Sequence, residues 1–148
     1  MNIRYQFFSK DKDVTQELMD IIKIFVKHSD EFNSYNKELC SNEVLNCVSN
    51  DLKQLGYKIK ETRNGPDAIN KQHKIIIEVE AGRALTNNQF LRNLIETCLI
   101  DNVEYLILAV RNIYKKQHDY DKIVEFLGRL YASSKLILPL KGVLVLGY

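Results

Sequence analysis

The sequence predicts one α/β domain in which a mixed β-sheet is flanked by helices. Stretches with apolar residues at three- and four-residue steps alternate with short apolar runs rich in β-branched residues, the patterns of amphipathic helices and of strands. The run at 103–110 is almost continuously apolar, as internal parallel strands are. The 148 residues contain no internal repeat and no long Gly/Ser linker, so a single domain over 1–148 is expected.

The apolar spacing predicts four helices, at 14–27, 41–55, 88–100 and 120–132. Ser41 is expected to be the N-cap of the second helix, and Gly56 is well placed to end it. The stretch 29–37 is rich in Asp, Asn, Ser and Tyr and breaks the helical period. The first two helices are therefore separate elements.

Five strands are predicted, at 57–61, 67–70, 74–80, 103–110 and 143–146. The tripeptide Asn64-Gly65-Pro66 forces a turn between the first two strands. The order along the chain is therefore α-α-β-β-β-α-β-α-β, with no element before residue 14. That N-terminal stretch lacks the apolar core of a secretory signal, and no apolar run reaches the roughly 18–20 residues of a membrane span. A cytoplasmic protein without a membrane partner is expected.

The composition and the motif inventory exclude several classes of function. The chain has no Gly-x-Ser-x-Gly, no phosphate-binding Gly-x-x-x-x-Gly-Lys loop and no dinucleotide fingerprint, which argues against a serine hydrolase, an ATPase and a dehydrogenase. Cys40, Cys47 and Cys98 lack the paired spacing of zinc ligands and are expected to be free thiols. The net charge of +2 permits nucleic-acid binding without indicating it.

Two glutamates stand in the apolar strand 74–80, where a buried charge is costly without a partner. Glu78 and Glu80 alternate with Val79, so they share one face of the strand. Asp67 opens the preceding strand, and antiparallel pairing of the two strands would place it beside Glu78. Three converging carboxylates are typical of a site for a hard cation such as Mg²⁺.

The motif Gly65-Pro66-Asp67, followed after ten residues by Glu78-Val79-Glu80 on an apolar strand, resembles the signature of the PD-(D/E)xK nuclease superfamily. The helix before the motif and the α-β-α-β order after it also match the core of that family, which implies a restriction endonuclease-like fold. The third motif position is usually lysine. Here it is Glu80, as in the Glu-x-Glu variant of BamHI-type restriction enzymes.

The resemblance implies a role for each acid. Asp67 and Glu78, with the Val79 carbonyl, would ligate Mg²⁺ (or Mn²⁺), and Glu80 would orient or deprotonate the attacking water. Many family members add a glutamate from the preceding helix, and Glu43 is the candidate for this further metal ligand. A structural role for Glu43 is the alternative, because acids near a helix start are favoured by the helix dipole.

A polar set follows the acidic strand and predicts nucleic-acid contacts. Arg83 and Arg92 suit phosphate, and Asn88 and Gln89 can read base edges near a helix start. The alternatives are an ion pair between Arg83 and the strand glutamates, and ordinary loop or N-cap roles for the two amides. Both readings stay open on the sequence alone.

The resemblance implies a Mg²⁺-dependent DNA endonuclease that hydrolyses phosphodiester bonds and is restriction-like. A homodimer is expected, because a lone domain of this size has little surface for reading a site on both strands. One alternative is a nuclease-fold module that has lost turnover and binds nucleic acid or a protein partner, which would be consistent with the missing lysine. Another is an α/β protein whose acids form a structural network.

Overall fold

The computed structural model of the protein describes residues 2–32 and 39–148. In chain order its elements are β1 (Arg4–Phe8), α1 (Gln16–Lys27), α2 (Ser41–Gln54), β2 (Lys58–Ile59), β3 (Ala68–Asn70), β4 (Ile75–Glu80), a 3₁₀ turn (Thr86–Asn88), α3 (Gln89–Cys98), β5 (Tyr105–Val110), α4 (Asp119–Ala132) and β6 (Gly142–Gly147). The α/β class and the element order from α1 onward agree with the prediction. Of the predicted break at 29–37, residues 33–37 lie outside the described part of the chain.

The strand β1 is a correction to the predicted order, which had no element before residue 14. It pairs antiparallel with β6, with Arg4 opposite Gly147 and Phe8 opposite Val143. Its first three residues are exposed and only Phe8 is buried. Because an edge strand buries so little, its sequence lacks the apolar alternation by which strands are recognised.

The six strands form one mixed sheet in the order β1-β6-β5-β4-β3-β2. The central strands β4, β5 and β6 are parallel, and β3 and β2 continue the sheet antiparallel. Ala68 pairs with Ile77, so the next pair in this register places Asp67 opposite Glu78. The antiparallel pairing predicted for these two strands is confirmed.

Helices cover both faces of the sheet. On one face, α1 and α2 pack through residues such as Phe25 and Val48 against Ile75, Ile77 and Val79 of β4. On the other face, α3 and α4 pack through residues such as Leu94 and Ile123 against Ile76. Since strand side chains alternate, Glu78 and Glu80 share the face of Ile76, toward α3. No helix in residues 2–32 and 39–148 is long and apolar enough to cross a membrane.

An ionic cluster joins the end of α1 to α2 and makes stability depend on pH. The Nε2 atom of His28 lies 2.7 Å from Asp51, whose carboxylate also pairs with Lys27 at 2.8 Å. Burial acts to lower the pKa of His28, but Asp51 and Glu31 outweigh it and raise that pKa. The cluster therefore stabilises the fold fully below about pH 6.5, and this contribution is lost as the pH rises through the raised pKa.

We expect His28→Gln to lower the free energy of unfolding by roughly 0.5–1 kcal/mol at about pH 5.5 and by much less at about pH 9. Urea unfolding of the variant and the wild type at both pH values measures the difference. His118→Gln is the comparison for a solvent-exposed pair, because His118 Nδ1 lies 3.5 Å from Asp121 at a more exposed site, and it should change the stability less at both pH values. Equal destabilisation by His28→Gln at both pH values would contradict the expected ionic contribution.

Candidate active site

Asp67 is held rigidly against the end of β4. It directly precedes β3 and is only 4 % exposed. Its Oδ2 atom accepts a hydrogen bond of 2.8 Å from the Val79 N–H. The side chain of Asp67 thus provides the acceptor for the buried Val79 N–H, which lies beyond the last residue pair of β3 and β4. This bond places the carboxylate of Asp67 next to Glu78, on the same face of the sheet.

The structure adds a lysine that sequence reasoning missed. Lys60 directly follows β2, its backbone N–H donates to the Asp67 carbonyl at 3.0 Å, and its side chain is 27 % exposed. Its ammonium forms an ion pair with Oδ1 of Asp67. The signal was present in the hairpin register, because a tight pairing across the turn Asn64-Gly65-Pro66 puts residue 60 opposite residue 67.

The electrostatics of the site show that its charges interact. Burial raises the pKa of Glu78 to about 8, and the charges of Asp67 and Glu80 add to this effect against the opposing charge of Lys60. The pKa of Glu80 is also raised, first by burial and also by Asp67. Burial acts to lower the pKa of Lys60, but the three carboxylates raise it. When all three acids are ionised they outnumber the lysine, so a bound cation would favour their ionised forms.

Helix α3 positions Glu80 through two amides. Asn93 is 4 % exposed, and its Nδ2 donates to Oε1 of Glu80 at 2.8 Å. The Nε2 of Gln89 donates in turn to Oδ1 of Asn93 at 2.9 Å. The neighbouring residues Phe90 and Leu94 are buried against the sheet, which turns Asn93 toward β4. Sequence reasoning missed Asn93 because a polar residue on a helix is more often solvated.

The acids open into a cleft of about 440 Å³. One wall is the turn between β2 and β3, which contributes Arg63, and the other is α3, which contributes Gln89 and Arg92. Arg92 is exposed and pairs with Glu96 at 2.9 Å. A cleft of this size is within the range of ligand sites, and it brings two arginines to a buried acidic floor.

Three other predicted site residues lie outside the lining of this cleft. Arg83 is exposed, and its charge lowers the pKa of Glu80 without outweighing burial. Asn88 is the exposed N-cap residue of α3, with a left-handed φ of 55° and no side-chain capping bond. Oε2 of Glu43 accepts the Cys40 N–H at 2.8 Å, in a capping box at the start of α2. That capping bond agrees with the structural alternative for Glu43, and its role as a metal ligand stays a prediction.

In the part of the chain that the structure describes, no group of three or more His, Cys, Asp or Glu side chains is arranged to hold a metal ion. Both oxygens of Asp67 already have partners, Lys60 and the Val79 N–H. A scan against protein-family models gives no match, and neither does a comparison with curated proteins.

Proposed function

We propose that this chain is a Mg²⁺-dependent DNA endonuclease of the PD-(D/E)xK type, with a restriction endonuclease-like core. The supporting observation is the row Lys60, Asp67 and Glu78 across three neighbouring strands, with Glu80 beside it, at the floor of an open cleft. The mixed sheet between two helical layers is consistent with such a core. A homodimer would act on the two strands of a duplex, with one cleft for each strand.

The donor chemistry of the site fits a divalent metal. Asp67 and Glu78 with the Val79 carbonyl would hold Mg²⁺ or Mn²⁺, because these ions prefer oxygen ligands. Burial, together with the charges of Asp67 and Glu80, raises the pKa of Glu78, and a bound cation would favour its ionised form. When bound, the ion supplies Lewis-acid stabilisation of the phosphate and a more acidic water.

Glu80 and Lys60 would carry out the proton transfer and the charge stabilisation. Glu80 has a raised pKa and one oxygen bonded to Asn93, so its second oxygen can accept a proton from the attacking water. That water oxygen bonds to phosphorus as the P–O bond opposite it breaks, and the leaving oxygen takes a proton from solvent water. Lys60 has a raised pKa and acts as a cation that stabilises charge on the phosphate. Lys60, just after β2, thus supplies the positive charge of the lysine that usually stands at the third motif position, where this chain has Glu80.

The test is cleavage of supercoiled plasmid and of single-stranded DNA with Mg²⁺ and Mn²⁺, comparing the wild type with Glu78→Ala. We expect metal-dependent cutting by the wild type only. In parallel, calorimetry should detect Mg²⁺ binding by the wild type and not by Asp67→Asn. Asn is preferred to Ala because its side-chain oxygen can still accept the buried Val79 N–H. Cutting that is retained in Glu78→Ala would remove the site from the mechanism.

We expect Lys60→Met to reduce the cleavage rate by about 100-fold or more, the usual effect of removing one electrostatic stabiliser. The same change leaves Asp67 buried without its cation, so the metal should bind with equal or higher affinity. Initial rates of plasmid nicking and calorimetric titration measure the two effects. Lys58→Met is the matched control, because Lys58 is an exposed lysine on β2, two residues before Lys60. Wild-type rates in Lys60→Met would exclude a role for this ammonium.

The alternative of a module that binds nucleic acid or a protein partner without turnover is favoured by one observation. Lys60 and the Val79 N–H occupy both oxygens of Asp67, as a permanent replacement for a metal would. Such a module would bind DNA without cutting it under any metal. A structural acid network would show neither binding nor a shift in Tm with Mg²⁺ or Mn²⁺.

A further inference from the structure

A two-residue turn after β5 places two lysines in an uncommon backbone conformation. Tyr114 and Gln117 exchange both backbone hydrogen bonds, each at 2.8 Å. The residues between them, Lys115 and Lys116, have φ values of 45° and 69°. Positive φ at both central residues is the arrangement of a type I′ turn, which strongly favours Asn-Gly.

Lysine is an unusual residue at these two positions, and no ion pair in the described part of the chain accounts for it. Lys74 also has a positive φ, but it pairs with Glu104 at 3.1 Å. Among residues 2–32 and 39–148, neither Lys115 nor Lys116 pairs with an acid, and both are exposed. The Nζ atom of Lys115 lies 5.2 Å from the ring centre of Tyr114. Two exposed ammonium groups without an acidic partner, at a turn whose φ values disfavour lysine, point to a role in binding an anion.

The turn is anchored beside the acidic site. The ring of Tyr114 lies against Gly82, where an added Cβ would be 2.3 Å from the ring. Gly82 is two residues beyond Glu80. The turn also follows β5, whose last residue Val110 is paired with Glu80 in the parallel register. The two lysines therefore follow the carboxyl end of β5, on the same side of the sheet as the acids at the end of β4. Ligands of parallel sheets bind at the carboxyl ends of the strands.

We propose that Lys115 and Lys116, together with Arg83, which follows the glycine in contact with Tyr114, bind the phosphate backbone of DNA outside the cleft. This inference rests on the proposed nuclease function and extends it to substrate recognition. An acidic floor repels a polyanion, so contacts away from the floor must hold the DNA while the cleft engages one phosphate. Exposed lysines at the tip of a turn supply such contacts without regard to base sequence.

The test replaces the two lysines by the residues that the turn prefers. The double variant Lys115→Asn/Lys116→Gly is prepared in a Glu78→Gln background, and binding to a short duplex is measured by fluorescence anisotropy over a range of salt concentrations. We expect about ten-fold weaker binding and a salt dependence reduced by roughly one to two ions. We also expect Tm to rise by about 2–4 °C, because Asn-Gly relieves the strain. Lys115→Arg/Lys116→Arg should retain the affinity.

Lys53→Gln/Lys135→Gln removes the same charge at exposed positions elsewhere and should change the affinity by less than about two-fold. Equal weakening by both double variants, or no weakening by the turn variant, would overturn the inference. So would a Glu78→Gln background protein that binds no DNA. Plasmid cleavage by the wild type is scored separately. If only the turn variant loses DNA binding and the wild type cuts no DNA, this inference is supported and the proposed nuclease activity is refuted. If the wild type cuts DNA and the turn variant binds DNA as tightly as its parent, this inference alone is refuted.

Discussion

Glu78→Gln is expected to abolish metal-dependent cleavage and, above neutral pH, to make the protein more stable. The loss of activity should exceed about 1,000-fold, because the variant lacks a carboxylate that would hold the metal. The gain in stability has a separate cause. Burial and the charges of Asp67 and Glu80 raise the pKa of Glu78 to about 8, so its ionised form is disfavoured in the folded protein.

The direction of the pH effect follows from that pKa. The folded state holds a proton on Glu78 that the unfolded state releases near pH 4.5. The free energy of unfolding of the wild type should therefore fall between about pH 4.5 and pH 8 and then level off. Glu78→Gln removes this fall, so its advantage should grow across the window to on the order of 3 kcal/mol near pH 9.

Urea unfolding between about pH 5 and pH 9, with plasmid nicking under the same buffers, measures both effects. Glu125→Gln, at an exposed position on α4, is the control for loss of one acidic group and should change neither quantity. A Glu78→Gln variant that is less stable than the wild type at pH 9 would refute the buried-charge account. Full cleavage activity in the variant would refute the proposed metal site.

The second large effect is expected from Gly82→Ala, which should lower the free energy of unfolding by about 2–4 kcal/mol. Gly82 has a φ of +101°, and an added Cβ would lie 2.3 to 2.6 Å from the ring of Tyr114. The substitution therefore strains the backbone and displaces a ring at the same time. Because Tyr114 holds the lysine turn, weaker DNA binding should accompany the loss of stability.

Gly65→Ala separates the two causes. Gly65 has a similar φ of +88°, but nothing lies within 4 Å of its added Cβ. It should therefore show only the backbone penalty of roughly 1 kcal/mol. Urea unfolding of both variants at one pH gives the comparison. Equal losses would mean that the contact with Tyr114 contributes nothing.

Local periodicity was enough to predict most of the fold. The order of elements from α1 to β6 follows from helical and strand spacing, which depends only on neighbours along the chain. The meeting of Asp67 and Glu78 was predictable for the same reason, since a short hairpin turn sets the register of the two strands that it joins. The placement of Glu80 on the same face followed from strand alternation.

The remaining features of the fold and of the site depend on contacts between elements that are distant in the sequence. The pairing of β1 with β6 joins residues that are about 140 positions apart, and nothing in the weak pattern of Arg4–Phe8 indicates that edge. Asn93 meets Glu80 only because α3 packs on β4, and Glu43 caps its own helix outside the lining of the cleft. Sequence spacing determines which side chains share a face of one element. The contacts between elements depend on how their apolar faces fit together in the folded protein, which no local pattern encodes.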